Sequence, residues 1–124
     1  MRITDLLDKR SISLTAAPKS KEEALNEAIA LMAESGKIND TEGYRRQVFA
    51  EESTTGVGEG IAIPHGKCAA VNRPGLAAMV IKDGVDFESL DGEPVTLLFL
   101  IAAPDTKDNV HLDVLSKLSM MLMD

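Results

Sequence analysis

"VTLLFLIAAP", residues 95–104, decides the fold. It is the strongest strand signal in the chain, and its apolar side chains fall on both parities. A strand without alternation is usually covered on both faces. "LAAMVIK", residues 76–82, has the same character, and "GIAIPH", residues 60–65, is a shorter β-branched run. Helical signals stand on either side. Ser20-Lys21-Glu22-Glu23 reads as a capping box, after which Ala24, Leu25, Ala28, Ile29 and Met32 recur at helical spacing until Gly36. Asp40 or Thr41 caps a second helix through Tyr44, Val48 and Phe49, which ends near "EESTTG". A last helix opens at "DTKDN", with Asp108 or Asn109 as its cap, and runs through Leu112, Leu115, Leu118 and Leu122. Asp83-Gly84 and Asp91-Gly92 mark turns, the first expected to close a hairpin between "AAMVIK" and "VDF". Helices flanking a mostly buried sheet predict an α/β fold, an α+β sandwich.

Bulk properties narrow the function classes. The 124 residues suit one domain able to bury about two-thirds of the surface of its unfolded chain. Net charge is −7, which argues against non-specific binding to nucleic acid or anionic membrane, since both need clustered cations. The single cysteine, Cys68, rules out an intrachain disulfide framework and points to a reducing compartment. "MRITDLLDKR" is neither a signal nor a transit peptide, and no apolar run approaches the ~20 residues of a membrane helix. The expected location is the cytoplasm.

The chain has two histidines. His65 follows Pro64, so the strand is expected to stop at this ring, held by a rigid sheet yet open to solvent. Gly66, lacking a Cβ, lets a partner or a phosphate approach the backbone. His111 lies in the first turn of the last helix and shares the inward face of Leu115, Leu118 and Leu122. The positive end of the helix holds such a ring neutral and offers free N–H groups beside it, a setting that suits an anion. Judged singly, each histidine fits a structural role equally well. "TTGVGEG", residues 54–60, is neither a Walker loop nor a dinucleotide fingerprint, and reads as a turn that crosses the site closely. His65 and Cys68 form an H-x-x-C pair. A structural zinc wants four ligands and the chain offers His65, Cys68 and His111 plus carboxylates, so no metal is expected and Cys68 reads as a small buried hydrophobe. Neither a Gly-x-Ser-x-Gly elbow nor HExxH is present.

"TTGVGEGIAIPHGK" followed by "GVDFESLDGEPVTLLFLIAAPDTKDNVHLDVLSKLSMML" closely resembles the fructose/mannitol-type enzyme IIA domain of the bacterial sugar phosphotransferase system. The resemblance runs from the first helix to the end of the chain. It implies a central mixed β-sheet with helices on both faces, spanning residues 1–124 as one domain. It implies that His65 is the phosphorylated histidine and His111 its supporting neighbour. The physical reading adds Gly66, the N–H groups of the helix start at Asn109 and the hydroxyl of Thr54 or Thr55 as support for the phosphoryl group. The implied donor is the phosphocarrier protein HPr and the implied acceptor a cysteine of enzyme IIB. No metal or cofactor and no sugar site are required, since the sugar meets only the membrane component. Phosphoryl transfer has a loose transition state, so catalysis is mainly positioning and electrostatics, and imidazole, with an ordinary pKa of about 6.5, is a nucleophile largely neutral at pH 7.

Two departures from the family pattern stand out. Its members usually carry an Arg-Glu pair before the Thr-Gly turn, the arginine lying near the phosphohistidine. Here the segment is "VFAEESTTG", with no arginine between Gln47 and His65, so Arg46, Arg45 or Lys67 would have to substitute. The family also continues with more helix beyond the point matching Asp124. A shortened domain would expose the apolar side of its last helix, where three of the six methionines fall in "SMMLMD", and favour self-association. Transport phosphocarrier is the leading reading. A regulatory IIA-like domain that signals through its phosphorylation state is the second, and a degenerate domain that no longer turns over is the third.

Overall fold

The computed structural model describes residues 2–51 and 56–122. The elements in chain order are α1 (Ile3–Leu6), β1 (Leu7–Ala16), α2 (Lys21–Glu34), α3 (Thr41–Glu51), β2 (Gly56–Gly58), β3 (Ile61–Ala62), β4 (His65–Cys68), β5 (Gly75–Val85), β6 (Val95–Pro104) and α4 (Val110–Leu122). Among the described residues the strands form one six-stranded mixed sheet, ordered β1-β5-β6-β3-β2, with β4 also paired to β6. β1 runs parallel to β5, β5 antiparallel to β6, and both β3 and β4 parallel to β6.

Both faces of the sheet are covered, as the apolar strands predict. On one face α2 and α3 bury Leu25, Ile29, Met32, Tyr44 and Val48 against Met79, Leu98 and Leu100. On the other, α1 and α4 bring Leu6, Val114 and Leu118 onto Ile63, Leu76 and Ile101. Each such side chain contributes roughly 1.5–3 kcal/mol on burial. The second cover is partial: from Ala78 onward β5 alternates between buried and more open positions, because α4 reaches only one end of the sheet. Ser20 caps α2 by accepting from the Glu23 N–H (3.1 Å). For α3 the cap is Asp40, whose carboxylate accepts from Gly43 N–H (3.0 Å).

Three expectations need correction. Asp83-Gly84 does not close a hairpin; β5 runs through it to Val85, and the register against β6 shifts between Val80 and Val85. Gly84 spends its positive φ of 74° in that bulge, tight against Pro94, while Gly92 N–H closes on Ser89 carbonyl in the true connection. Pairing along the whole of β6 offers far more ladder than a local turn onto "VDF". Second, His65 does not end a strand. The chain breaks at Ile63-Pro64 and resumes at His65, with the register on β6 unchanged: Ala62 pairs Leu98 and His65 pairs Ile101. Pro64 has no N–H to give, but its carbonyl accepts from Ile101 N–H (3.0 Å), so the strand skips one bond without losing its course.

Third, the missing Cβ of Gly66 is not a clearing for a donor or a phosphate. A Cβ there would stand 2.9 Å from Val48 Cγ2 and 3.0 Å from Tyr44 Cε1, so the glycine is what lets α3 lie against β4. Gly66→Ala is expected to lower stability by about 1–3 kcal/mol, the usual penalty for overpacking. Urea denaturation measures it, and an unchanged midpoint would mean that α3 shifts at no cost.

Candidate functional site

Strand alternation sorts the residues after the Gly turn. Ile61 and Ile63 face the α4 side while Ala62 faces α2 and α3. The phase survives Pro64, so His65 and Lys67 lie on the α4 side and Gly66 and Cys68 on the other. The H-x-x-C pair is thereby split across the sheet. Cys68 packs against the larger core, and burial pushes its thiol pKa up, the behaviour of a small hydrophobe.

β6 ends at Pro104, and the connection 105–109 returns the chain as α4 over β4. Asn109 immediately precedes the helix, and its carbonyl accepts from Leu112 and Asp113 N–H (both 3.1 Å). The first turn brings His111 onto His65: the rings stack with centroids 5.6 Å apart and an interplanar angle of 29°. His111 Nδ1 is buried and has no hydrogen-bond partner among the described residues. An unsatisfied buried nitrogen is uncommon in folded proteins and often marks a functional position.

The charge around the pair is set by a few neighbours. His111 has a pKa below the ordinary 6.5, first because burial penalises the imidazolium, then through repulsion by His65 and Lys67, with Glu51 opposing. A neutral ring was expected, but from the helix dipole; burial is the larger cause. Lys67 Nζ donates to the Asp108 carbonyl (3.3 Å), and Lys67 N–H donates to the Glu51 carboxylate at the end of α3 (3.1 Å). Of the other arginine substitutes, Arg45 is held by Glu42 and Asn26 against α2, and Arg46 is exposed on α3. Thr54 and Thr55 lie outside the described residues.

Two contributors were not anticipated. Glu51 was read only as part of a helix end, and its reach to β4 depends on packing that sequence does not show. Asp91 accepts from Glu59 N–H (2.8 Å) and Glu93 N–H (3.1 Å), which ties the β5–β6 connection to the β2–β3 turn. These bonds to its ionised form hold its pKa below the usual carboxylate range. The Asp-Gly turn was the available signal; its partner across the chain was not.

This fold, with a histidine pair between a sheet and a helix N-terminus, is that of the mannitol-type IIA proteins. The enzyme IIA in the complex of enzyme IIAMtl and phosphorylated enzyme IIBMtl from Escherichia coli superposes with a TM-score of 0.81 at 28% identity, covering 96% of this chain and 84% of that one. Nitrogen regulatory protein IIA-Ntr from Neisseria meningitidis gives 0.89 at 33% identity, over 98% of this chain and 84% of that one. Residues 5–124 match the family described as phosphoenolpyruvate-dependent sugar phosphotransferase system, EIIA 2, and the chain belongs to that family. The PTS system fructose-specific EIIABC component of Bacillus subtilis (strain 168) is 47% identical over 99% of this chain, which spans 20% of that relative's length. None of the described helices is long and apolar enough to cross a membrane.

The depressed pKa of His111 predicts a pH dependence. Above the ordinary value of 6.5 the ring is neutral in both folded and unfolded chains, and its contribution to stability is complete. As pH falls below that value the unfolded chain gains a proton first, so stability drops until the folded pKa is passed. The His111 ring should titrate below 6.5 by NMR, and His111→Gln should lose less stability than the parent between pH 7.5 and 5.5; a midpoint above the ordinary value contradicts this.

Proposed function

We propose that the chain is a cytoplasmic phosphocarrier in which His65 accepts a phosphoryl group from phospho-HPr and passes it to a cysteine of an enzyme IIB of the fructose or mannitol type. The observation that carries this reading is the stacking of His65 and His111 at 5.6 Å, at the start of α4. A neutral ring nitrogen attacks phosphorus as the P–N bond of the donor breaks; in the second transfer a cysteine thiolate attacks and His65 leaves as imidazole. Little covalent work falls to the protein beyond the nucleophile, and the rest is placement of donors around the equatorial oxygens.

His111 supplies a ring beside the phosphoryl group that stays neutral at pH 7. The N–H groups of the first turn of α4, following Asn109, add the positive end of a helix. Thr54 or Thr55 is the hydroxyl donor in this scheme. No step calls for a metal. The sugar is handled by the membrane component, so the fructose-type relative supports a sugar class rather than a sugar site on this chain.

A second reading is favoured by the likeness to IIA-Ntr: the same phosphorylation serves as a signal, and no IIB cysteine receives it. Incubation with phosphoenolpyruvate, enzyme I and HPr, followed by peptide mapping, tests the shared step. His65→Gln should take up no phosphate, while His111→Ala should still label on His65 at a rate reduced by about 10²–10³. Labelling of His65→Gln at the parental rate would sink the assignment. Adding a fructose-type IIB then separates the two readings, because only the transport carrier loses its label to the IIB cysteine.

A further inference from the structure

A phosphoryl group on His65 brings close to two negative charges into a half-buried site next to the Glu51 carboxylate. Without a nearby cation that charge is poorly tolerated where water is partly excluded. The described cations are mostly committed elsewhere. Arg10 pairs with Asp8, Arg45 with Glu42 and Asn26, and Lys37 gives its ammonium to the Leu6 carbonyl.

Lys67 is different. It stands two residues beyond His65 on β4, hence on the same face, with Cα atoms about 7 Å apart. Its ammonium meets a neutral group, the Asp108 carbonyl at 3.3 Å, and among the described residues it has no carboxylate within ion-pair distance. The main chain of the same residue is pinned by Glu51, so the base of the side chain is fixed while its tip is held by one weak, long bond. Its charge is felt at His111, which puts it beside the ring pair.

We infer that Lys67 is the cation that receives the phosphoryl group on His65, its ammonium leaving the Asp108 carbonyl for a phosphoryl oxygen. This role rests on the reading of His65 as the phosphorylated residue. Lys67 exchanges no proton; the P–N bond forms at His65 as the donor's P–N bond breaks, and the ammonium meets the charge on the oxygens. The neutral carbonyl serves as a parking place that keeps the cation over the site between transfers. The ammonium is thus a movable donor, whereas the helix N-terminus is a fixed one. Glu51 has a matching part, since it holds Lys67 through its main-chain N–H and leaves the ammonium uncommitted.

The test compares the parent, Lys67→Met, Lys67→Arg and His65→Gln in the mixture of phosphoenolpyruvate, enzyme I and HPr. Three quantities are read: the rate of label uptake, the residue labelled, and the dependence of uptake on ionic strength. Lys67→Met is expected to label on His65 with uptake slowed about 10- to 100-fold, the kinetic equivalent of one charge-assisted hydrogen bond. Uptake should also be less sensitive to salt, and Lys67→Arg should recover most of the rate. The methionine variant should keep the parental urea midpoint, as expected of a surface-facing change. Parental uptake by Lys67→Met, with the label on His65, overturns the role of Lys67 and leaves that of His65 standing. Equal slowing in Lys67→Met and Lys67→Arg also overturns it, since shape rather than charge would then matter. Label on a residue other than His65 in the parent overturns both.

Discussion

Residue 101 of the central strand is the point on which the rest of the molecule hangs. Ile101 donates its N–H to the Pro64 carbonyl and accepts the Tyr44 hydroxyl at 2.7 Å on its own carbonyl. Its side chain is fully buried in the core beneath α4, and its Cα is in register with His65 on one side and Leu76 on the other. The first of these bonds carries the chain past a proline without a change of register. The second ties α3 through the sheet plane, and burial keeps the Tyr44 phenol protonated, well above its usual pKa. With β4 held at this register, alternation puts His65 under α4 and Gly66 under α3. A shift by one residue would exchange them and bury His65 among Tyr44 and Val48.

The electrostatics follow from that placement. His111, at the start of α4, resists protonation, because burial, the second ring and Lys67 all penalise its imidazolium. Glu51 moderates the effect. Of these, the positive charge of Lys67, together with the helix start, favours an anion, as the proposed phosphoryl group on His65 requires.

Legibility in the sequence followed how locally each feature is determined. β6, β5 and helices α2, α3 and α4 were readable because apolar runs and the Ser20 cap act over a few residues, whereas the four-residue α1 was not read. β1 was missed: its fully buried position is Ser11, whose hydroxyl donates to Leu31 carbonyl, while Leu14 is 69% exposed, so the edge strand shows no apolar alternation. Pro64 was taken for a terminator because the N–H it lacks is visible in sequence and the carbonyl it offers to β6 is not. His65 and His111 were recognisable singly from strand and helix patterns, and became a pair through the resemblance. Glu51 and Asp91 act only across the tertiary contact, where a sequence carries no local sign.

The two histidines come from elements of unequal hold on the molecule. Within the described residues, β6 is bonded along both edges, and β4 leans on it. α4 buries Val114 and Leu118, where α2 buries Ala24, Leu25, Ala28, Ile29 and Met32, and its outer side leaves Met120 and Met121 exposed. Amide exchange should therefore be slowest along β6 and markedly faster in α4, with local opening that lifts His111 while His65 stays seated. His111 then belongs to a unit that can part from the sheet without the domain unfolding, which makes assembly of the pair an equilibrium that binding can bias.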